Sequence, residues 1–183
     1  MDIEGDILEI VALVEKARQA QAVYEAQGSQ KIFDLACQAV AWALMKPEHN
    51  NSLSKLAVQK TGLGNAADKT KKNHNKTLGL LRDLKSVTAF GHVEDNAETG
   101  LSTYLRPKGV IAAIVPSTNP LATPVNNIIN ALKSGNAIII APSPKGAEPF
   151  ATLLTFIHQN LRSIGLNPDL VQMVPMPSSK AKT

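Results

Sequence analysis

The sequence predicts an α/β protein in which an all-helical amino-terminal region and an antiparallel hairpin precede part of a doubly wound parallel sheet. Three observations carry this. Apolar residues recur at three- and four-residue steps through most of residues 3–84, the period of helices that bury one face. From Val87 the pattern becomes two short strand-like pieces around the turn-rich stretch EDNAETG. From Gly109, two uniformly apolar segments, GVIAAIVP and NAIIIAP, alternate with helical stretches, as strands do when a parallel sheet is covered on both faces. The expected organisation is therefore residues 1–86 helical, 87–108 a hairpin, and 109–183 the opening of the sheet.

The elements follow in order. Residues 3–26 read as one long helix with Ile7, Ile10, Val11, Val14 and Ala17 on its inner face, broken by Gly28-Ser29. A second helix, about 30–44, carries Phe33, Ala36, Ala39, Val40 and Ala43 inward, with Pro47 closing it. A short third helix is expected from NNSLSKLAVQKTGLG, capped by its asparagines or serine and stopped by Gly62 and Gly64. A fourth, about 65–84, is solvated by its lysines. Between the two apolar strands a helix starts with Thr123 as cap and Pro124 in the first turn, buries Val125, Ile128, Ile129 and Leu132, and ends at Gly135. A further helix, about 147–164, leads through Gly165 to LVQMVP, a third parallel strand. The chain then runs into PSSKAKT, and the expectation is that it is part of a longer protein.

Composition narrows the function classes. Hydrophobic residues are 44% of the 183, enough for a core, while aromatics are only 4%, so that core is aliphatic. The only cysteine, Cys37, excludes an internal disulfide and fits a reducing cytoplasm; mid-helix, it reads as core. No apolar run reaches the roughly 18 residues of a membrane span, and the acidic start, MDIEGDILEI, is no secretory signal. The net charge of +4 is concentrated in Lys55, Lys60, Lys69, Lys71, Lys72, Lys76, Arg82 and Lys85, against Asp68 and Asp83. With no aromatic to stack a base, this stripe reads as a solvated helix face, and no nucleic-acid partner is expected. His49, His74, His92 and His158 are scattered over unrelated elements, so no metal site is expected; Asp34, near Cys37, reads as an ordinary helix-face residue.

The chemistry lies at two proline-rich elbows. In an open parallel sheet, ligands bind beyond the carboxyl ends of the strands. Both elbows fall there: Pro116, Ser117, Thr118, Asn119 and Pro120 after one strand, and Ala141, Pro142, Ser143, Pro144 and Lys145 after the next. Adjacent strands would turn both toward one crevice. Asn119 offers a side-chain NH2 to a carbonyl or oxyanion; Ser117, Thr118 and Thr123 offer hydroxyls; Ser143 and Lys145 suit a ribose or phosphate. The same residues can also serve only as helix caps and strand stops. No GxGxxG, GxxxxGK[ST] or HExxH is present.

The segment RPKGVIAAIVPSTNPLATPVNNIINALKSGNAIIIAPSPKG resembles the cofactor-domain segment of the aldehyde dehydrogenase superfamily, in its CoA-acylating branch. There the first elbow typically reads Pro-Thr-Thr-Asn-Pro, and the later strand ends in a Ser-Pro-His-Pro-like turn. The likeness extends back through TGLGNAADKTKKNHNKTLGLLRDLK and EDNAETG, and the wording of TGLGNAADK and APSPKG is most similar to the sulfoacetaldehyde-oxidising group.

That resemblance implies a reaction: an aldehyde and CoA are converted with NAD or NADP to an acyl-CoA, through a cysteine thioester. The implied substrate is a small aldehyde bearing a sulfonate, and the implied state a cytoplasmic homo-oligomer. Asn119 becomes the oxyanion donor; Pro116, Ser117 and Thr118 line the nicotinamide side; Ala141, Pro142, Ser143, Pro144 and Lys145 border the adenosine. Non-acylating relatives commonly carry lysine where Ala141 stands, so the choice between NAD and NADP stays open. In the family the catalytic cysteine comes later than this chain reaches, and Cys37 does not match it. Residues 109–183 would then be a partial Rossmann-like cofactor-binding domain, inactive alone. The alternative is a non-catalytic nucleotide-binding or interaction module on the same fold.

Overall fold

The computed structural model describes residues 3–175. In chain order these form α1 (Ile3–Ala26), α2 (Gln30–Met45), α3 (Pro47–Thr61), α4 (Ala66–Leu84), β1 (Gly91–Asn96), β2 (Leu101–Leu105), β3 (Val110–Val115), α5 (Ala122–Lys133), β4 (Ala137–Pro142), α6 (Ala147–Ser163) and β5 (Val171–Met173). Short 3-10 turns occupy Pro144–Gly146 and Pro168–Leu170. The expected PSSKAKT tail lies outside the described residues. The architecture is that of the expected fold class: helices, an antiparallel hairpin, then a parallel sheet ordered β3-β4-β5.

The sheet register runs from Val110↔Ala137 to Val115↔Pro142 and from Ile138↔Val171 to Ile140↔Met173. The crossover helices α5 and α6 cover one face, and α2 packs outside them. α1 lies along the other face, where Gln172 Nε2 donates to Leu13 O at 3.2 Å. Its carboxyl end is tied down by Gln21 Nε2 to Gly135 O (3.1 Å) and by Tyr24 Oη to Leu132 O (3.1 Å).

Several local expectations change. Only the carboxyl half of α1 is buried, through Ala17, Ala20 and Tyr24; Ile7, Ile10 and Val11 are exposed because the described residues cover nothing ahead of Leu13. β4 is buried on both faces, but β3 is an edge strand and leaves Ile114 90% exposed, because α1 lies chiefly over β4. α3 starts at Pro47 rather than at Asn50, since proline's fixed φ and missing N–H suit a first helical position. Pro47 thus ends α2 by opening α3. Thr123 does not cap α5: the helix opens at Ala122 after Leu121, with no side-chain cap. Pro124 is tolerated there because the first N–H groups of a helix have no intrahelical partner. Asn50, Asn51 and Ser52 fall inside α3 and do not cap it, Lys46 standing at its N-cap with no side-chain hydrogen bond, whereas Gly62 closes it as expected at φ 69°. Ser29, expected only as a break, caps α2 by accepting from Ile32 N.

Two charged residues are less ordinary than expected. Asp34 pairs with Lys133 Nζ at 2.5 Å, and the lysine side chain is only 4% exposed. On α4, Lys69 is buried with Asn73 and Thr77, so the basic stripe is not uniformly solvated.

Candidate functional site

β3 and β4 are adjacent and parallel, so both chains leave the sheet at the same edge. The ladder continues one step past the strands, Ser143 N donating to Val115 O at 3.1 Å. Beyond it the two elbows touch. A Cβ on Gly146 would lie 3.0 Å from both Pro120 Cβ and Ser143 Oγ, so the second elbow packs tightly onto the first and a side chain there would push a neighbour aside by a few tenths of an ångström. Residues 116–120 and 142–146 therefore lie against each other at that edge of the sheet.

There the predicted residues differ in exposure. Pro116, Thr118, Pro144 and Lys145 are exposed; Ser117, Asn119, Ala141 and Ser143 are half-buried; Pro142 is buried. Ser143 Oγ is buried without a hydrogen-bond partner among the described residues. Lys145 forms no ion pair among the described residues.

Two residues that sequence reasoning passed over converge on the first elbow. Lys72 Nζ donates to Asn119 Oδ1, and Lys69 Nζ approaches Thr118 O at 3.5 Å. Because an ammonium only donates, Asn119 must turn its oxygen to Lys72 and its NH2 away. That NH2 makes no hydrogen bond to any described residue. Lys69 and Lys72 stand three residues apart on one face of α4, whose first turn is capped by Asn65 Oδ1 accepting from Asp68 N at 2.8 Å. With Gly64, Asn65, Asp68 and Thr118 they line a cavity of about 250 Å³ against the elbow. Burial, and then the charge of Lys72, lower the pKa of Lys69. Lys69, Asn73 and Thr77 recur at four-residue steps on α4, but a polar stripe of this kind does not distinguish a solvated face from one turned toward an elbow.

The chain's cysteine lies away from the elbows. Cys37 is buried in α2, its Sγ 3.4 Å from Ile129 O, and burial followed by the Asp34 charge pushes its thiol up to about 12. It is a core residue. His49 stacks on Phe156 with ring centroids 3.8 Å apart, and His158 Nε2 meets Val171 O at 2.7 Å, both structural roles. No group of three or more metal-ligating side chains occurs among the described residues, and none of their helices is long and apolar enough to cross a membrane. Larger cavities open between α3 and α4 (about 620 Å³) and beside the hairpin (about 860 Å³), away from the elbows.

The family model for the aldehyde dehydrogenase family matches residues 5–183. A sulfoacetaldehyde dehydrogenase (acylating) of Cupriavidus necator is 53% identical over 174 residues, covering 95% of this chain and 35% of that protein. An acetylating aldehyde dehydrogenase structure from Geobacillus thermoglucosidasius superposes with a TM-score of 0.87 at 29% identity, over 97% of this chain and 38% of that one. A Rhodopseudomonas palustris propionaldehyde dehydrogenase, solved with bound CoA and an acylated cysteine, gives 0.77 at 31% identity, over 93% and 38%. The chain spans about a third of the length of these relatives. A first elbow carrying asparagine, a second closing on it through glycine, and these matches lead to one assignment: the chain belongs to the aldehyde dehydrogenase family, in its CoA-acylating branch and close to the sulfoacetaldehyde dehydrogenases.

Proposed function

We propose that this chain supplies the carbonyl-binding and dinucleotide-binding elbows of an enzyme that converts a small sulfonated aldehyde and CoA, with NAD or NADP, to an acyl-CoA by way of a cysteine thioester. The observation that carries the proposal is Asn119: its oxygen is held by Lys72, and its NH2 makes no hydrogen bond to any described residue. A donor fixed in advance at the position where a carbonyl oxygen gains negative charge stabilises the transition state more than the substrate.

A dinucleotide held by these elbows would supply the hydride acceptor for oxidation at the aldehyde carbon. The chain's own residues then have separate tasks. Pro116, Ser117 and Thr118 shape the wall next to Asn119. Ala141, Pro142, Ser143, Pro144 and Lys145 form the second wall, where the Ser143 hydroxyl and Lys145 ammonium meet ribose and phosphate. Residues 109–183 act as part of the cofactor-binding domain, with 1–86 as the helical region and 87–108 as the hairpin. The sulfonate preference rests on the 53% identity to an enzyme of that name. A hairpin whose Leu101 and Tyr104 are 67% and 63% exposed suits a homo-oligomer, which light scattering would measure.

The test is a rate profile on the full gene product: acyl-CoA formation from sulfoacetaldehyde, acetaldehyde and propionaldehyde, each with NAD+ and with NADP+. CoA-dependent turnover favouring sulfoacetaldehyde is expected. Preference for an uncharged aldehyde removes the sulfonate assignment, and turnover indifferent to CoA removes the reaction.

A further inference from the structure

We propose that Lys69 and Lys72 form the subsite that holds the sulfonate of the aldehyde, beside the elbow that binds its carbonyl. The inference rests on the reading of that elbow given above, and adds to it the residues that choose the substrate.

The lysines are placed for this. Lys72 touches the amide of Asn119 and Lys69 the backbone of Thr118. In a sulfonated aldehyde of this size the sulfur is bonded to the carbon next to the carbonyl. A group that holds the sulfonate must therefore neighbour the group that holds the carbonyl oxygen. Charge points the same way. Neither lysine pairs with a carboxylate among the described residues, and Lys69 is 6% exposed. Asp68, the acid that shares the cavity, is engaged by Asn65 Nδ2 at 2.6 Å and lies in the first turn of α4. Two ammonium groups on one helix face, one of them buried, disfavour each other until an anion comes between them.

Each lysine has three N–H donors and uses one on the elbow, which leaves several for the three oxygens of a sulfonate. An uncharged aldehyde would leave both cations unneutralised, so the pair discriminates against it as well as attracting the anion. The phosphates of CoA fit less well, because a whole pantetheine arm separates them from the thiol that must reach the carbonyl.

The experiment uses the full gene product and compares kcat/KM for sulfoacetaldehyde with that for propionaldehyde in the parent, Lys69→Met, Lys72→Met and Lys69→Arg. Losing a charged donor should lower the ratio about 10- to 100-fold in each Met variant, while Arg at 69 keeps most of it. Calorimetry with 2-hydroxyethanesulfonate, which cannot react, should show binding to the parent that both Met variants lose. Lys72 is half-buried, so Lys72→Met tests the pair independently of any packing change at the buried Lys69. An unmoved ratio in a parent that prefers sulfoacetaldehyde overturns the subsite alone, as does an effect confined to the KM for CoA. A parent that does not oxidise sulfoacetaldehyde overturns the reading on which the subsite rests.

Discussion

Replacing Asn119 by aspartate separates two roles that alanine would confuse. In the structure Asn119 Oδ1 accepts from Lys72 Nζ, so the side chain could matter only because it ties the elbow to α4. Aspartate keeps that tie and strengthens it, because a carboxylate pairs with an ammonium better than an amide oxygen does. It also replaces the outward NH2 with an oxygen carrying negative charge. If the amide is the oxyanion donor, the lost hydrogen bond alone lowers kcat about 10²–10³-fold, roughly 3 kcal/mol. Repulsion adds to this: two like charges about 4 Å apart interact by roughly 4 kcal/mol at an effective dielectric of 20. Lys72, equally close, cancels much of it. The expected order of kcat in the full gene product is therefore the parent above Asn119→Ala, with Asn119→Asp at or below Asn119→Ala. Thermal stability of the two variants runs the other way, aspartate above alanine. Single-turnover rates of acyl-CoA formation and melting temperatures of the three proteins measure both orders. An Asn119→Asp variant as active as the parent, with Asn119→Ala alone impaired, would show that the residue only anchors the elbow.

Other perturbations follow from the same contacts. Gly135→Ala should destabilise the protein by roughly 2–5 kcal/mol, combining a left-handed backbone with overpacking. Its φ is 75° and the new Cβ would lie 2.8 Å from Pro107 Cγ and 2.9 Å from Phe33, so an unchanged urea midpoint would contradict the geometry. Lys69→Met should raise stability at neutral pH by roughly 0.5–2 kcal/mol, because an apolar side chain replaces a buried amine that has no carboxylate partner among the described residues. The sign follows from linkage: burial lowers the Lys69 pKa, so at pH values between it and the ordinary lysine value the unfolded chain binds the extra proton. The parent should therefore gain stability as pH rises through that window, and Lys69→Met should lack the gain. Cys37 should resist alkylation until the protein unfolds, since its thiol is buried and pushed up to about 12, and Cys37→Ala should leave the proposed aldehyde oxidation by the full gene product in place. Loss of turnover in that variant with the fold intact would refute its assignment to the core.

The parts legible in the sequence are those fixed by local rules. Period, caps and glycines placed α2, α4, α5 and α6 within a residue or two, and the prolines at 116, 120, 142 and 144 marked the ends of two parallel strands. What was illegible depends on which element lies against which. Asp34 looks like any helix-face carboxylate until α5 brings Lys133 against it from 99 residues away. Ile114 has the composition of a buried residue, and only its place on the edge strand exposes it. Lys69 and Lys72 read as solvent charges because nothing in the run from Lys55 to Lys85 indicates that one face of α4 turns toward an elbow 47 residues further on.

That turn of α4 is itself set by buried polar groups. Asn73 Nδ2 donates to Asn50 Oδ1 at 3.0 Å and to Ser54 Oγ at 3.2 Å, and Asn50 Nδ2 donates to Thr70 O at 2.9 Å. Apolar contacts between α3 and α4 would tolerate a range of rotations of one helix on the other, whereas these directional bonds admit one. Lys69 precedes Asn73 by four residues and so shares its face. Once Asn73 is locked against α3, Lys69 must leave the helix toward Thr118, and Lys72, one residue before Asn73, toward Asn119. The groups proposed to select the substrate are thus aimed by the helical layer, while the groups proposed to bind its carbonyl and the dinucleotide are aimed by the register of the sheet. Substitutions on α3 or α4 can then change which aldehyde is preferred while Val115↔Pro142, and with it the packing of the two elbows, stays as it is.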